Sequence, residues 1–107
     1  MTSLITQDPE LARIYRAGLT DRAALSEQDQ SRFDPLLSVQ VTGLQHQFRL
    51  ARDGSLSPEV WADMKQADRW LVQQPGVRPW WLLWRNLYRP DFQEFYDDLI
   101  REGEAAG

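Results

Sequence analysis

The stretch PLLSVQVTGLQHQFRLAR, residues 35–52, decides the fold class, because its apolar residues recur at the three- and four-residue spacing of an α-helix. Two apolar rows run along it instead of one. The first row is Leu37, Val41, Leu44, Phe48 and Ala51, and the second is Leu36, Val39, Gly43, His46 and Leu50. Two rows predict two buried sides. We therefore expect a central helix packed between neighbouring helices.

The second row has another interpretation, in which it forms the contact of a homodimer. With His46, the residues Leu36, Val39, Gly43 and Leu50 follow alternating steps of three and four, which is the spacing of a short coiled coil. Glycine in such a row lets two helices approach closely. The row is then buried between two chains, and sedimentation at micromolar concentration distinguishes the two interpretations.

Outside this stretch, the prolines indicate where further helices begin. Pro9, Pro58, Pro79 and Pro90 each lie at a position where the missing N–H costs a helix little. No segment shows the sustained period-two alternation of a β-strand. The sequence therefore predicts an all-α fold, a compact bundle of about five helices, and the five tryptophans predict a Trp-rich core.

Each expected helix begins at or next to a proline or a capping residue. They cover about 9–17, a segment capped by Ser26 that must kink or restart at Pro35, the central 35–52, a helix from Pro58, the Trp-rich segment 77–89, and Pro90 to about Glu102. We predict a single helical domain over 1–107, with an ordered core at 8–102 and a flexible tail at 103–107.

The inward faces of the last three helices follow from their apolar spacing. The helix from Pro58 is expected to turn Val60, Met64, Ala67 and Leu71 inward, flanked by Trp61 and Val72. The Trp-rich helix is expected to bury Trp80, Leu83, Trp84, Leu87 and Tyr88, and the last helix Phe92, Phe95, Tyr96, Leu99 and Ile100.

Composition excludes several kinds of active site. The chain has 107 residues, no cysteine and one histidine, His46, so it holds neither a thiolate site nor a multi-histidine metal site. It contains no glycine-rich phosphate loop, no nucleophile elbow and no His-Glu-x-x-His motif. We therefore expect a protein that is not an enzyme, with no catalytic residues, no cofactor and no metal.

The charges are distributed unevenly. The chain carries 16 acidic and 12 basic residues, and residues 91–107 contain six acidic residues against Arg101. On a helix, Arg78, Arg85 and Arg89 share one face, which the acidic last helix is expected to neutralise. Binding of phosphates or nucleic acid to these arginines is the less favoured alternative. With no signal peptide and no segment able to span a bilayer, a cytoplasmic location is expected.

Two sets of residues are candidates for binding. Trp70 and Trp81 lie at the edges of apolar stripes, so both are expected to be partly exposed. With Arg78, Arg85 and Arg89 they form a possible surface for a protein partner. The alternative is a small-molecule or lipid-binding pocket lined by Trp80, Trp84 and Phe95.

Five segments of the chain also carry a resemblance to a family. They are LARIYRAGL at 11–19, RF at 32–33, GSLSPEVW at 54–61, PGVRPWW at 75–81 and YRPDFQEF at 88–95. In this order, and covering nearly all of 9–100, they resemble an all-helical domain family of unknown function among small bacterial proteins. The resemblance implies a compact helical domain and a bacterial origin, but no activity and no catalytic residue.

Relatives in that family often carry a transmembrane segment ahead of the helical domain. The present chain has no such segment, so the resemblance implies either a soluble member or a domain whose anchor lies elsewhere. A non-enzymatic interaction or scaffolding module, with a possible membrane-proximal role, is the function we expect.

Overall fold

Five α-helices, joined by short connections, make up most of the computed structural model, which describes residues 8–106. The helices are α1 (Pro9–Thr20), α2 (Glu27–Arg52), α3 (Pro58–Val72), α4 (Val77–Trp84) and α5 (Pro90–Ala106). Two 3-10 turns, Arg22–Ala24 and Arg85–Leu87, lie before α2 and after α4. No strand occurs within these residues, so the predicted all-α bundle is confirmed.

Side-chain caps explain where three of the helices begin. The Asp8 carboxylate accepts hydrogen bonds from the backbone N–H groups that follow it at the start of α1. The Ser26 and Ser57 hydroxyls accept from Asp29 and Val60 in the same way. Each cap satisfies a backbone donor that has no partner within the helix.

Pro35 lies inside α2 without ending it. The helix is continuous from Glu27 to Arg52, although proline removes one backbone hydrogen bond and usually kinks a helix. Residues on both sides of the proline are held by other elements: Phe33 and Leu37 are fully buried. These contacts outweigh the missing hydrogen bond, and the helix neither stops nor restarts there.

Only one of the two apolar rows of α2 is buried. Leu37, Val41, Leu44 and Phe48 of the first row belong to the core. In the second row Leu36 is buried, but Val39 is 51% exposed, and a Cβ added to Gly43 meets no atom within 4 Å. The expectation of two sides buried within the chain is wrong, because the neighbouring helices cover α2 from one side.

The core is aromatic, as the sequence predicts. Trp80, Phe92 and Tyr96 are completely inaccessible to solvent, and Trp81 is nearly so. The ring centroids of Trp81 and Tyr96 lie 4.6 Å apart, and Phe92 stacks on Tyr96 at 5.5 Å. Because aromatic side chains bury large areas, this group supplies much of the apolar contact between α4 and α5.

Gly76 allows the start of α4 to meet the end of α1 at backbone distance, and Gly18 makes room for the Phe33 ring of α2. The Gly76 N–H donates to the Leu19 carbonyl at 2.7 Å. A Cβ on Gly76 would lie 1.8 Å from the Gly18 carbonyl oxygen, and one on Gly18 would lie 2.2 Å from the Phe33 ring. No side chain fits at either position, so this contact fixes the start of α4 against the end of α1.

The last two helices differ in extent from the prediction. Helix α4 ends at Trp84, and the chain becomes extended at Tyr88, close to Pro90, whose directly preceding residue is disfavoured in helical conformation. Helix α5 continues to Ala106, through most of the predicted tail; Gly107 lies outside the described residues. Gly103 is buried, and a Cβ there would lie 3.2 Å from Val72 Cγ2.

Candidate interaction surface and cavities

Four large apolar side chains are exposed on one short segment, α4 and the turn that follows it. Leu82, Leu83, Trp84 and Leu87 form what we call the apolar ridge. Leu82 is 62% exposed, Leu83 58% and Leu87 78%. Helix α4 buries Val77, Trp80 and Trp81 instead. Four exposed large apolar residues within six residues of sequence make this segment the candidate binding surface.

The expectation that Leu83, Trp84 and Leu87 lie on the buried face of a single helix through Arg89 is wrong. Leu83 and Trp84, both within α4, are 58% and 37% exposed. The α-helix ends at Trp84, and the 3-10 turn Arg85–Leu87 winds more tightly than an α-helix. Residues after Trp84 therefore point in directions that an α-helical wheel does not give. Leu87 is turned into solvent, while Tyr88 remains in the core.

Trp84 attaches the ridge to the rest of the bundle through the carboxylate of Asp34. Its indole Nε1 donates to Asp34 Oδ2 at 3.0 Å. Arg22 donates to both oxygens of the same carboxylate, at 2.9 and 2.8 Å, and these hydrogen bonds raise the pKa of Arg22. Trp80 Nε1 donates to the Asp34 carbonyl at 3.2 Å. One buried aspartate thus connects α2, α4 and the turn before α2.

A cleft of about 490 Å³ lies beside the ridge, between α4 and α5. Arg78 pairs with Glu104 at 3.0 Å, and Arg85 donates to both oxygens of Asp97. Desolvation opposes ionisation of Asp97, but the hydrogen bonds from Arg85 and from Trp81 Nε1 outweigh it and lower its pKa. The two arginines are therefore neutralised by the acidic helix, the arrangement favoured by the sequence.

The five residues of the predicted interaction surface are divided among three places. Arg78 and Arg85 line the cleft, and Trp81 lies in its wall with only 1% of its surface exposed. The expected partial exposure of Trp81 is wrong, because its ring packs against α5. Trp70 is 60% exposed on α3. Arg89 lies in a different depression, beside Arg49, Arg52 and Asp91.

The three residues of the predicted pocket are not brought together around one cavity. Trp80 is buried in the core, where its ring packs against Trp81 and Tyr88. Phe95 packs against Phe48 and Trp61, at centroid distances of 4.9 and 5.7 Å, and Phe92 lies between this group and Trp81. Trp84 lies at the surface beside Asp34.

Asp68 is the residue whose position the sequence prediction missed. Helix α3 is rotated from the predicted stripe: Val60 and Ala67 are exposed, whereas Trp61 and Asp68 are partly covered. Trp61, Asp68 and Val72 are seven and then four residues apart, a spacing that places them on one face of a helix and indicates this inward face. An aspartate on this inward face interrupts the apolar row, so apolar periodicity favours the stripe through Val60 and Ala67 instead.

The environment of Asp68 disfavours its ionised form. Burial raises the pKa of this carboxyl to about 7. Among the described residues, it forms no hydrogen bond or salt bridge with another side chain. Burial also raises the pKa of Tyr96, and the nearby Asp68 charge raises it further. The Tyr96 hydroxyl is buried without a hydrogen-bond partner in the part of the chain that the structure describes.

Comparison with known proteins gives no relative. The chain matches no protein-family model, no curated protein and no solved structure. Within residues 8–106, no three histidine, aspartate or glutamate side chains are grouped as metal ligands. Nor does any helix in this range have the length and apolarity needed to cross a membrane.

Proposed function

We propose that this chain is a non-enzymatic protein-interaction or scaffolding module of bacterial origin, and that its partner docks on the apolar ridge. The exposure of Leu82, Leu83 and Leu87 within six residues of sequence is the observation that carries the proposal. Covering such side chains stabilises a complex by removing apolar surface from water.

The attachment of the ridge to the bundle supports this role. Trp84 contributes apolar surface while its indole N–H is held by Asp34, and Arg22 fixes that carboxylate from the other side. A side chain held in this way loses little conformational entropy when a partner covers it. Tryptophan is also enriched among the residues that dominate binding energy in protein interfaces.

The arginine cleft is the expected rim of the interface. Leu82 belongs both to the ridge and to the cleft wall, so a partner that covers the ridge also reaches Arg78 and Arg85. Their pairing with Glu104 and Asp97 supports a protein partner over nucleic acid, because phosphate binding requires cationic charge that is not already neutralised. We propose a cytoplasmic location, with a possible membrane-proximal role through a partner or an anchor.

Binding of a small molecule or lipid is the alternative proposal. Trp80 is completely buried in the packed core, whereas Trp84 is partly exposed beside Asp34, so the predicted lining residues do not face one cavity. The interaction module therefore has the stronger support.

Affinity capture with matched variants tests the proposed function. We expect the wild-type protein to retain a defined partner from a lysate of the source cells. The double variant Leu83→Asp/Leu87→Asp should lose that partner, whereas Val60→Asp, a change at an exposed apolar residue of α3, should keep it. Circular dichroism confirms that each variant is folded. Equal retention by the wild type and the folded double variant would contradict the proposal.

A further inference from the structure

A cavity of about 300 Å³ lies between α1, α2 and α3, and none of its lining residues belongs to the apolar ridge or the arginine cleft. Its walls combine one carboxylate with two aromatic rings. It is lined by Tyr15, Gln40, Ala67, Asp68, Trp70 and Leu71. This volume is at the lower end of the range for small-ligand sites.

Within residues 8–106, no basic side chain pairs with the carboxylate of this cavity. The basic residues next to Asp68 on α3 are engaged elsewhere: Lys65 lies over the Trp61 ring at 5.7 Å, and Arg69 donates to Gln66 at 3.5 Å. A partly buried carboxylate without a partner is unfavourable, and a cation in the cavity would relieve that cost.

The aromatic walls suit the same kind of ligand. Tyr15 and Trp70 belong to α1 and α3, so the cavity has rings from two different helices. The Tyr15 hydroxyl donates to Gln40 Oε1 at 2.7 Å, which fixes the position of its ring. Aromatic faces attract cations through their quadrupole, and this attraction is strongest for tryptophan.

We propose that this cavity binds a small organic cation bearing an ammonium group, with Asp68 as its counter-ion and Tyr15 and Trp70 as its aromatic walls. A neutral ligand of the same shape would leave the carboxylate unpaired, and an anion would be repelled by it. Aromatic rings with a carboxylate are a recurring arrangement for binding substituted ammonium ions. The proposal is independent of the apolar ridge.

The charge of Asp68 determines how the affinity of the cavity for a cation depends on pH. The other titratable groups facing Asp68 are the phenols of Tyr15 on α1 and Tyr96 on α5, and burial raises the pKa of both above 10.0. Asp68 is therefore the group that changes charge near neutral pH. Because the cation pairs with the ionised carboxylate, affinity should increase as the pH rises from 6 to 8.

Titration with choline and with its neutral isostere 3,3-dimethylbutan-1-ol tests the proposal. The readout is the shift of the Trp70 indole resonance in ¹H–¹⁵N NMR spectra, at constant ionic strength. N-acetyllysine methylamide is titrated in parallel, because a lysine side chain of another protein also presents an ammonium group. Binding of choline alone assigns the site to small free cations, and binding of both assigns it to ammonium groups in general.

Two variants complete the experiment. Asp68→Asn keeps the shape of the carboxyl but not its charge, and it should weaken choline binding by about tenfold or more. Asp63→Asn removes a charge from an exposed position of the same helix and should leave binding unchanged. Saturable binding of choline but not of its isostere, lost in Asp68→Asn, is the expected result. Equal binding of both compounds, undiminished binding to Asp68→Asn, or no binding of either ammonium probe overturns the proposal.

Discussion

Asp34 shows how much of the bundle depends on a single side chain. Its carboxylate is nearly buried, with 11% of the side chain exposed, and it accepts hydrogen bonds from Arg22 and Trp84. Ionic groups are tolerated in such positions when every partner is present, and removing one partner leaves an unpaired buried charge. The residue also precedes Pro35, where the helix lacks one of its own hydrogen bonds.

We predict that Asp34→Ala lowers the free energy of unfolding by about 3 kcal/mol, because Arg22 and the Trp84 N–H both lose their acceptor. Urea denaturation measures this change. Asp21→Ala is the control, because the exposed Asp21 side chain makes no capping hydrogen bond. Its removal should change the free energy of unfolding by less than about 0.5 kcal/mol. Similar stabilities for the two variants would show that the Asp34 contacts contribute little.

A second prediction concerns the pH dependence that Asp68 imposes on stability. Burial raises its pKa from 3.8 to about 7 in the folded protein. Between these values the folded state binds more protons than the unfolded state, so this group lowers stability as the pH rises. We expect Asp68→Asn to stabilise the protein more at pH 8 than at pH 5, by roughly 2–3 kcal/mol, because about two pH units of the range between the two pKa values lie between these conditions.

Urea denaturation of the wild type and Asp68→Asn at both pH values measures that difference. Asp63→Asn controls for the loss of one negative charge on α3, and its effect should be the same at pH 5 and pH 8. If the effect of Asp68→Asn is also independent of pH, the carboxyl is not desolvated as the structure indicates.

At the scale of elements, the positions of helix starts could be predicted from the sequence, but some helix orientations could not. Capping by Ser26 and Ser57 is a local interaction, so the residues near each cap contain the whole signal. The rotation of α3 and the exposure of Val39 depend on which neighbours cover each helix. Apolar periodicity shows that a face is apolar but not that another element is available to bury it.

The candidate surface was predictable only in part, for the same reason. Neutralisation of Arg78 and Arg85 by the last helix followed from opposite charges on consecutive helices. The exposure of Leu87 did not, because the chain changes to a 3-10 turn after Trp84, where α-helical spacing no longer applies. Leu82 and Leu83 lie on α4 itself, outside the face of Val77, Trp80 and Trp81 that is buried. Asp68 is polar, so apolar periodicity does not predict that its side chain is partly buried.

The contact between α1 and α4 provides a prediction at this scale. Gly76→Ala should lower the free energy of unfolding by at least about 2 kcal/mol, because its Cβ would collide with the Gly18 carbonyl. Gly43→Ala adds the same methyl group where no atom lies within 4 Å. Because alanine favours the helical conformation more than glycine does, this variant should raise the free energy of unfolding by up to about 1 kcal/mol. Thermal denaturation compares the two, and a tolerated Gly76→Ala would show that the helices do not approach so closely.

For the whole molecule, the open question raised by the second row of α2 is self-association. Leu36 is buried within the chain, and Val39 is the large apolar residue of that row that remains substantially exposed. A stable dimer usually needs on the order of 800 Å² buried on each partner. Because one strongly exposed large apolar side chain does not by itself make such an interface, we expect a monomer.

Sedimentation equilibrium at micromolar concentration measures the oligomeric state. The expected mass is that of one chain, 12.5 kDa. A mass approaching twice this value, restored to that of one chain by Val39→Glu, would establish the homodimer through Leu36, Val39, Gly43 and Leu50 instead.

The most direct test of the proposed function is site-specific photo-crosslinking in the source cells. Leu87, the most exposed residue of the apolar ridge, is replaced by p-benzoylphenylalanine, and Val60 on α3 is replaced in the same way in a second chain. Interaction through the ridge predicts a defined crosslinked adduct with another protein from position 87 and none from position 60. Absence of an adduct at position 87, or the same adducts from both positions, would contradict the proposed docking surface.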